Sequence, residues 1–435
     1  MNDDEPGMTA TPGNLTRRRR ATGLLLAPAV LFFVLRPDTA AAQQWLVTPE
    51  LEIAAQYVDN PRLREDGEEP GTGEDGLAGP SDSIEGGLID AALALRRNTP
   101  VSTFLLRPSV VVQRYAGETD EDAEAYFLDM DAGGEGRRSG WRLRGNYRQE
   151  QVFRGETTPA DFDDLLEDDV QTGTGRTFQR RQRDLWRIQP EFRMSFTELT
   201  ALALELRYQD VSYDEEEPGT AVDYRNMYVD AAIQRELSPY NRLEFAVFGS
   251  RYDPSIDGRE TDAVGARIGY QQSTSDISTW FVEVGAQETR RDSLSEPGVE
   301  LSDTSFLWNI GYRRALQVTT WRLDLGQQVT PSGSGNLVER DLYRVSMEHQ
   351  LDPRWLLHLS AVYLRSDAVA TESEVTSSDR DYAQGRVALG FRLTPAWTVQ
   401  GLYALTYQDF ANIPGDAQEH EVRLSFIYRP PLPTQ

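Results

Sequence analysis

Three segments of this chain share one pattern: Leu237-Ser238-Pro239-Tyr240-Asn241-Arg242-Leu243, Leu351-Asp352-Pro353-Arg354-Trp355-Leu356-Leu357 and Leu393-Thr394-Pro395-Ala396-Trp397-Thr398-Val399. Each is a tight proline turn between two runs in which apolar residues alternate with polar ones. Proline fixes φ and lacks an N–H, so it suits a turn and is excluded from a central strand. The chain therefore reads as repeated antiparallel hairpins. The other ends of these hairpins carry longer acidic loops with Gly and Pro. Short turns on one side and long loops on the other are the pattern of a transmembrane barrel.

A length of 435 residues would ordinarily divide into two or three soluble domains. With no break in composition, a hairpin array predicts one large closed sheet instead. The formal net charge is −26 and the mean hydropathy is negative, which alone would indicate a soluble acidic protein. In a membrane barrel only alternate strand residues face lipid, so the average stays polar and the charge does not exclude a membrane. Cysteine is absent, which fits an exported chain. Lysine is absent too, so all 44 basic residues are Arg, mainly a bias of genome composition, although Arg is also the better residue for planar contacts with carboxylates and phosphates.

At the amino terminus Arg17 to Arg20 precede the apolar run from Gly23 to Leu35, and Ala40-Ala41-Ala42 follow. This is the order of an export leader, with cleavage expected after Ala42. Met8 is an alternative start. An apolar run of about 13 residues is too short for a membrane-spanning helix, which needs roughly 20. The expected organisation is a signal peptide over 1–42 and a barrel over 43–435.

From Trp45 onward the alternation has a period of two. Phe104, Leu106, Val110 and Val112 share one face, with Thr103, Arg107, Ser109 and Gln113 on the other. Trp186, Ile188, Phe192, Met194 and Phe196 likewise oppose Arg187, Gln189, Glu191, Arg193 and Ser195. Leu202, Leu204, Leu206 and Tyr208 oppose Glu205, Arg207 and Gln209, and the pattern runs on to Val422, Leu424, Phe426 and Tyr428. An apolar outer band around a polar lumen accounts for this. A soluble sandwich also alternates, but its strands have about five or six residues, whereas these runs exceed the roughly nine to eleven a tilted membrane strand needs. The fold class is all-β, an up-and-down antiparallel transmembrane barrel of about 18 strands; sixteen is the alternative, because region 45–100 is the least regular. Short turns fall near 98, 139, 198, 239, 275, 317, 353 and 395, and are assigned to the periplasmic side. The long loops, including 58–82, 154–181 and 331–338, are assigned outside. Trp45, Trp141, Trp186, Tyr208, Tyr252, Trp280, Trp355, Trp397 and Tyr428 stand near strand ends, where interfacial girdles are expected.

Among the loops, 154–181 is the most informative. Thr158-Pro159-Ala160-Asp161 has the order of an N-cap, an N1 proline and an early acid, and Phe162, Leu165 and Leu166 follow at helical spacing. Asp161, Asp163, Asp164, Glu167 and Asp168 line this short helix. It either folds inward, setting those acids against the wall arginines Arg187, Arg193, Arg207, Arg322 and Arg386 as a constriction, or covers the rim. Further wall arginines are Arg107, Arg142, Arg144, Arg267 and Arg392. They line an anion path or form a structural ladder with lumen acids. The acidic runs at 65–69, 120–122 and 214–217 are solvated charge, or hold Ca²⁺ or Mg²⁺ shared with lipopolysaccharide phosphates.

Little points to catalysis. Only His349, His358 and His420 are available as imidazole bases, on different strands and with no paired Ser or Asp signature. No phosphate loop or metal-ligand spacing occurs, so no cofactor is expected, and the acidic balance argues against nucleic acid. The first strand begins just after the expected cleavage point, so a plug domain is not expected.

Trp45-Leu46-Val47-Thr48-Pro49-Glu50-Leu51-Glu52-Ile53, followed by Tyr57-Val58-Asp59-Asn60-Pro61-Arg62-Leu63, resembles the start of the β-barrel porin 2 type. Members of that group begin with a strand ending in a Thr-Asp-Asn-like motif, and some accompany exopolysaccharide or exosortase-linked gene clusters. Val58 stands here in place of the usual Thr. The resemblance implies an outer-membrane barrel with a part in polysaccharide export, and no catalytic residue carries over.

The expected function is an outer-membrane channel, either a diffusion porin or the outer-membrane component of exopolysaccharide export. The alternatives are a structural or adhesive barrel with a closed lumen and a membrane-embedded hydrolase. Expected partners are outer-membrane lipid and lipopolysaccharide, the barrel assembly machinery and polysaccharide export components. Oligomeric state is not legible in the sequence.

Overall fold

The computed structural model describes residues 45–60, 83–116, 122–152, 181–214, 222–255, 260–275, 277–292, 299–333, 335–369, 380–410 and 416–431. The first nine strands are β1 (Trp45–Asp59), β2 (Ile84–Asn98), β3 (Ser102–Tyr115), β4 (Ala123–Glu135), β5 (Ser139–Val152), β6 (Arg181–Ser195), β7 (Thr200–Tyr213), β8 (Tyr224–Ser238) and β9 (Asn241–Pro254). The chain continues through β10 (Thr261–Ser275), β11 (Ser278–Asp292), β12 (Glu300–Ala315), β13 (Thr319–Pro331), β14 (Leu337–Gln350), β15 (Trp355–Ala368), β16 (Arg380–Arg392), β17 (Trp397–Phe410) and β18 (Asp416–Tyr428). Each strand pairs antiparallel with its sequence neighbours, and β18 pairs with β1 from Leu51↔Tyr428 to Asp59↔His420. The sheet is thus a closed barrel of 18 strands, and the sixteen-strand alternative is set aside. Among the described residues there is no helix.

Partners across an antiparallel pair share a face, so the register propagates one inside and one outside around the ring. The outside carries Ile53, Ile89, Tyr126, Phe192, Ile233, Val247, Phe306, Val387 and Val422, all exposed. The inside carries the arginines, carboxylates and amides. Near the short turns the outer aromatics pair as Trp397 with Tyr428, ring centroids 4.9 Å apart, and Trp355 with Phe391, 4.7 Å apart. Tyr147 with Trp186 and Tyr343 with Tyr363 stand further toward the long loops. Tyr252 corrects the girdle expectation. It occupies the inner parity of β9 beside Ser250 and Phe248, and it is fully buried. Its place near a strand end was legible, but its face was not, because two residues from the end of β9 no apolar run remains to set the phase.

The residue before each proline in the opening pattern caps its turn. Asp352 Oδ1 accepts from the Arg354 and Trp355 amides at 2.6 and 2.8 Å. Thr394 Oγ1 accepts from Trp397 N at 3.1 Å, and Ser238 Oγ from Tyr240 N at 3.2 Å. A short hydroxyl or carboxylate side chain satisfies amides that the tight reversal takes out of the ladder. At the barrel seam Asn60 ends β1 with φ 52°, and its Nδ2 donates to the Gln418 carbonyl at 2.8 Å. Asparagine is among the few residues that accept the left-handed region at low cost.

The two ends of the interior differ. Toward the short turns, inward-facing Arg193, Arg313, Leu356 and Arg392 are exposed to water. Toward the long loops, inward-facing Gln56, Val211, Thr289, Arg291, Ser366 and Gln408 are buried.

Candidate functional site

The interior over β7 to β14 is built around Arg267. Its guanidinium lies 2.6 Å from Asp230 on β8 and 2.9 Å from Glu283 on β11, with Glu244 of β9 at 3.8 Å, and it donates to Tyr228 Oη at 2.9 Å. Space for this convergence comes from small neighbours: Ala246 and Gly285 stand directly opposite Arg267 in the adjacent strands. A neighbouring cluster joins Arg207 to Glu205 at 2.8 Å, with Gln189 Nε2 on the same carboxylate at 2.9 Å. The Arg207 guanidinium also stacks over Tyr228, 5.2 Å from the ring centre. Across the cavity Arg322 meets Asp324 at 2.8 Å. The Arg267 contacts join four strands, whereas Arg207–Glu205 and Arg322–Asp324 are i,i+2 pairs on one strand; the half-buried Arg267 group attracts more strongly than surface pairs worth about 0–1 kcal/mol.

Two aromatics lie flat against the inner wall over glycines. A Cβ on Gly265 would overlap the Phe248 ring, and one on Gly311 would overlap Phe281. The missing side chains leave the room that the two rings occupy. Together with Gln209, Asn226, Asn309 and Arg344 they line a cavity of about 480 Å³, within the range of a small-solute site.

The last residues of β13 and the first of β14 border this cavity. Thr330, Pro331 and Leu337 line it, and the turn they lead into lies on the long-loop side, as expected for 331–338, but bends inward across the lumen. Tyr252 Oη donates to the Ser332 carbonyl at 2.7 Å, the Val222 amide donates to the Gly333 carbonyl at 2.7 Å, and Arg291 Nη1 donates to Asn336 Oδ1 at 3.1 Å. Gly335 takes φ 83°, open to glycine without strain. Around these bonds Leu185, Val211, Tyr213, Tyr224 and Tyr252 from β6 to β9 pack with Leu337, Val369 and Val329 from β13 to the end of β15. Fully burying an aliphatic side chain is worth roughly 1.5–3 kcal/mol, so this cluster outweighs the three hydrogen bonds in holding the turn down.

Of the residues expected at a constriction, Arg207 and Arg322 line this cavity. Arg187 is fully buried on β6, with Nη2 3.4 Å from Gln209 Oε1 in the next strand. Arg193 is exposed near the 196–199 turn, and Arg386 stands on β16, nine strands round from β7, so neither joins the group. Asp161, Asp163, Asp164, Glu167 and Asp168 lie outside the described residues. The three histidines stand apart: His349 Nδ1 shares a hydrogen bond with Thr319 Oγ1 (2.8 Å), His420 Nδ1 with Tyr403 Oη (2.9 Å), and His358 faces inward between Glu348 and Ala388. Among the described residues no group of His, Asp and Glu has a metal-binding arrangement. In the sequence Arg267 is one wall arginine among several. Its sole local signal was glycine at 265, 269 and 285 on the neighbouring inner positions.

No family model matches the chain, and no curated protein matches it. Among solved structures the chain is similar to the outer membrane protein OpdK from Pseudomonas aeruginosa, at 10% identity and a TM-score of 0.43, covering 88% of this chain and 98% of that one. It is also similar to the outer membrane channel DcaP of Acinetobacter baumannii, at 12% identity and 0.40, covering 90% and 99%. The FrpB iron transporter from Neisseria meningitidis matches at 7% and 0.43, covering 88% and 82%. The fold itself rests on the strand pairing, and the resemblance of residues 45–63 to the porin 2 type stands on those residues alone.

Proposed function

We propose that this chain is an outer-membrane channel whose water-filled lumen passes small polar solutes. The observation that carries this is the division of the barrel wall: a continuous apolar outer surface, incompatible with solution at this extent, around an interior of paired charges and amides that holds a cavity and whose inward-facing residues are exposed toward the short turns. Lipid on the outside and water on the inside satisfy both faces at once. Purified protein in planar lipid bilayers should give discrete ohmic current steps. Absence of current in every preparation that shows a folded β-sheet spectrum would favour the closed structural or adhesive barrel, a reading to which the inward β13–β14 turn lends support.

Several narrower readings belong to the same proposal. An export leader ending at Ala42 would leave Gln43 as the first residue of the membrane-extracted protein, which amino-terminal sequencing reads directly. The barrel assembly machinery would then insert the chain beside lipopolysaccharide. Acids Asp161, Asp163, Asp164, Glu167 and Asp168 are proposed to face the interior arginines; their joint change to Asn and Gln should shift the reversal potential toward anions. Exopolysaccharide export is supported by the residue 45–63 resemblance only. Deleting the gene and finding surface polysaccharide unchanged would remove it.

A further inference from the structure

One stretch of the wall is not closed by the ladder. β12 pairs with β13 only from Trp308↔Gln327 to Ala315↔Thr320. Toward the long loops β12 stays on β11 up to Asp292↔Glu300, and β13 stays on β14 up to Pro331↔Leu337. Both strands therefore have residues with which to continue, 304–307 on one side and 328–331 on the other, yet among the described residues these do not pair. The Thr304 amide donates instead to Asp303 Oδ1 of its own strand at 2.8 Å. Successive strand residues point to opposite faces, but residues 324–331 all border the 480 Å³ cavity, as do Leu307, Trp308 and Asn309. Each strand thus turns an edge to the cavity, which runs into the open seam. An open sheet edge is not tolerated against lipid tails alone, but it is where it lines a water-filled cavity. Beside the seam the outer wall carries a second hollow of about 420 Å³, with Ala361, Ala383 and Gly385 between Tyr343 on β14 and Leu405 on β17. A Cβ at Gly385 meets nothing within 4 Å, so this groove is open to its floor. Leu325 borders both hollows, and Trp308 at the first meets Tyr343 at the second, ring centroids 6.2 Å apart.

We propose that the β12–β13 seam is a lateral passage from the lumen cavity to the bilayer leaflet on the long-loop side, and that its ligand is a single-chain amphiphile. The polar head sits in the cavity, where the Arg207–Glu205 and Arg322–Asp324 pairs, Asn309 and Gln328 supply hydrogen bonds. The acyl chain leaves between Trp308 and Leu325 and lies along the groove over Ala361 and Gly385. A wholly polar solute gains nothing from the groove, and a wholly apolar one gains nothing from the charged cavity, so the two hollows together select a molecule with both parts. The passage rests on the lipid-facing outer wall proposed above, and not on an axial current.

The chain contains no cysteine, so introduced pairs report cleanly. Thr330 and Val338 are ladder partners, and such partners stand about 4.5–5.5 Å apart, within reach of a disulfide. In vesicles Thr330→Cys with Val338→Cys should oxidise at least about tenfold faster than Thr330→Cys with Ser305→Cys, the pair that a continued ladder would oppose. Equal rates would show a closed seam and overturn the passage. So would disulfide-linked dimers of the single Ser305→Cys variant, which would mean that a second copy pairs with the edge. The ligand is tested without any variant: the parent protein in phosphatidylcholine vesicles is irradiated with palmitic acid carrying a diazirine on its chain, and the label is mapped by mass spectrometry. Label at 306–308 and 325–329 should fall at least about fivefold under excess plain palmitic acid, the mark of a saturable site, while label at 245–247 on the outer wall stays. Label that resists competition, or is competed alike at both places, would overturn the amphiphile as ligand. Neither arm reads current, so a conducting barrel that fails both keeps the channel reading, and a barrel without current that passes both keeps the passage.

Discussion

Arg267 on β10 lies 2.6 Å from Asp230 on β8, so a single ion pair reaches across the whole width of β9. Glu283 and Glu244 complete a ring of acids around the one guanidinium. Removing the cation leaves three carboxylates facing one another. Arg267→Met is therefore expected to cost about 3 kcal/mol, as breaking a buried pair does. Asp230→Asn should cost less, because Glu283 and Glu244 still hold Arg267. The check is the urea midpoint of the vesicle-folded barrel, followed by tryptophan fluorescence. A smaller loss for Arg267→Met than for Asp230→Asn would contradict the arrangement.

Glycines of the wall divide into two kinds. Gly311→Ala pushes a methyl into the Phe281 ring, and the displacement should cost about 1–3 kcal/mol as overpacking. A Cβ at Gly385 meets nothing within 4 Å, so Gly385→Ala should stay within about 0.5 kcal/mol of the parent. Equal effects at the two sites, by the same unfolding measurement, would mean that Phe281 does not lie over Gly311.

The outer wall makes a directional claim. Val247 sits midway along β9 and is exposed. In lipid, Val247→Arg should destabilise by about 2–4 kcal/mol, the value for an arginine at the bilayer midplane. Inward-facing Ser250→Arg, three residues along, enters a polar lumen and should cost less than half as much. Yields of heat-modifiable folded protein in vesicles would rank the two variants, and the reverse order would exclude a lipid-facing outer surface.

Asn60 closes the seam with a positive φ and a bond to Gln418. Asn60→Gly keeps the backbone conformation and loses the bond, so it should cost about 1 kcal/mol. Asn60→Val loses the bond and adds left-handed strain to a β-branched residue, for about 2–3 kcal/mol in all. Hydrogen exchange at the Asp59 and Glu419 amides would show the β1–β18 edge fraying first.

Much of the wall was legible before any coordinate. The repeated Leu-x-Pro turns mark hairpin reversals, and between them the period of two separates Trp186, Ile188 and Phe192 from Arg187, Gln189 and Glu191. These are local properties: side-chain alternation and proline's fixed φ act within a few residues, and a barrel multiplies them around a ring. Sequence alone therefore determined the architecture, the strand number within two and the two faces of the wall. Only the tertiary structure decided that Tyr252 points inward, that Arg267 gathers acids from β8, β9 and β11, and that Ser332 and Gly333 reach across the lumen to β9 and the start of β8. Each of those depends on groups tens of residues apart meeting across a curved, closed sheet. Such meetings follow from ring closure and stagger, which no single strand encodes.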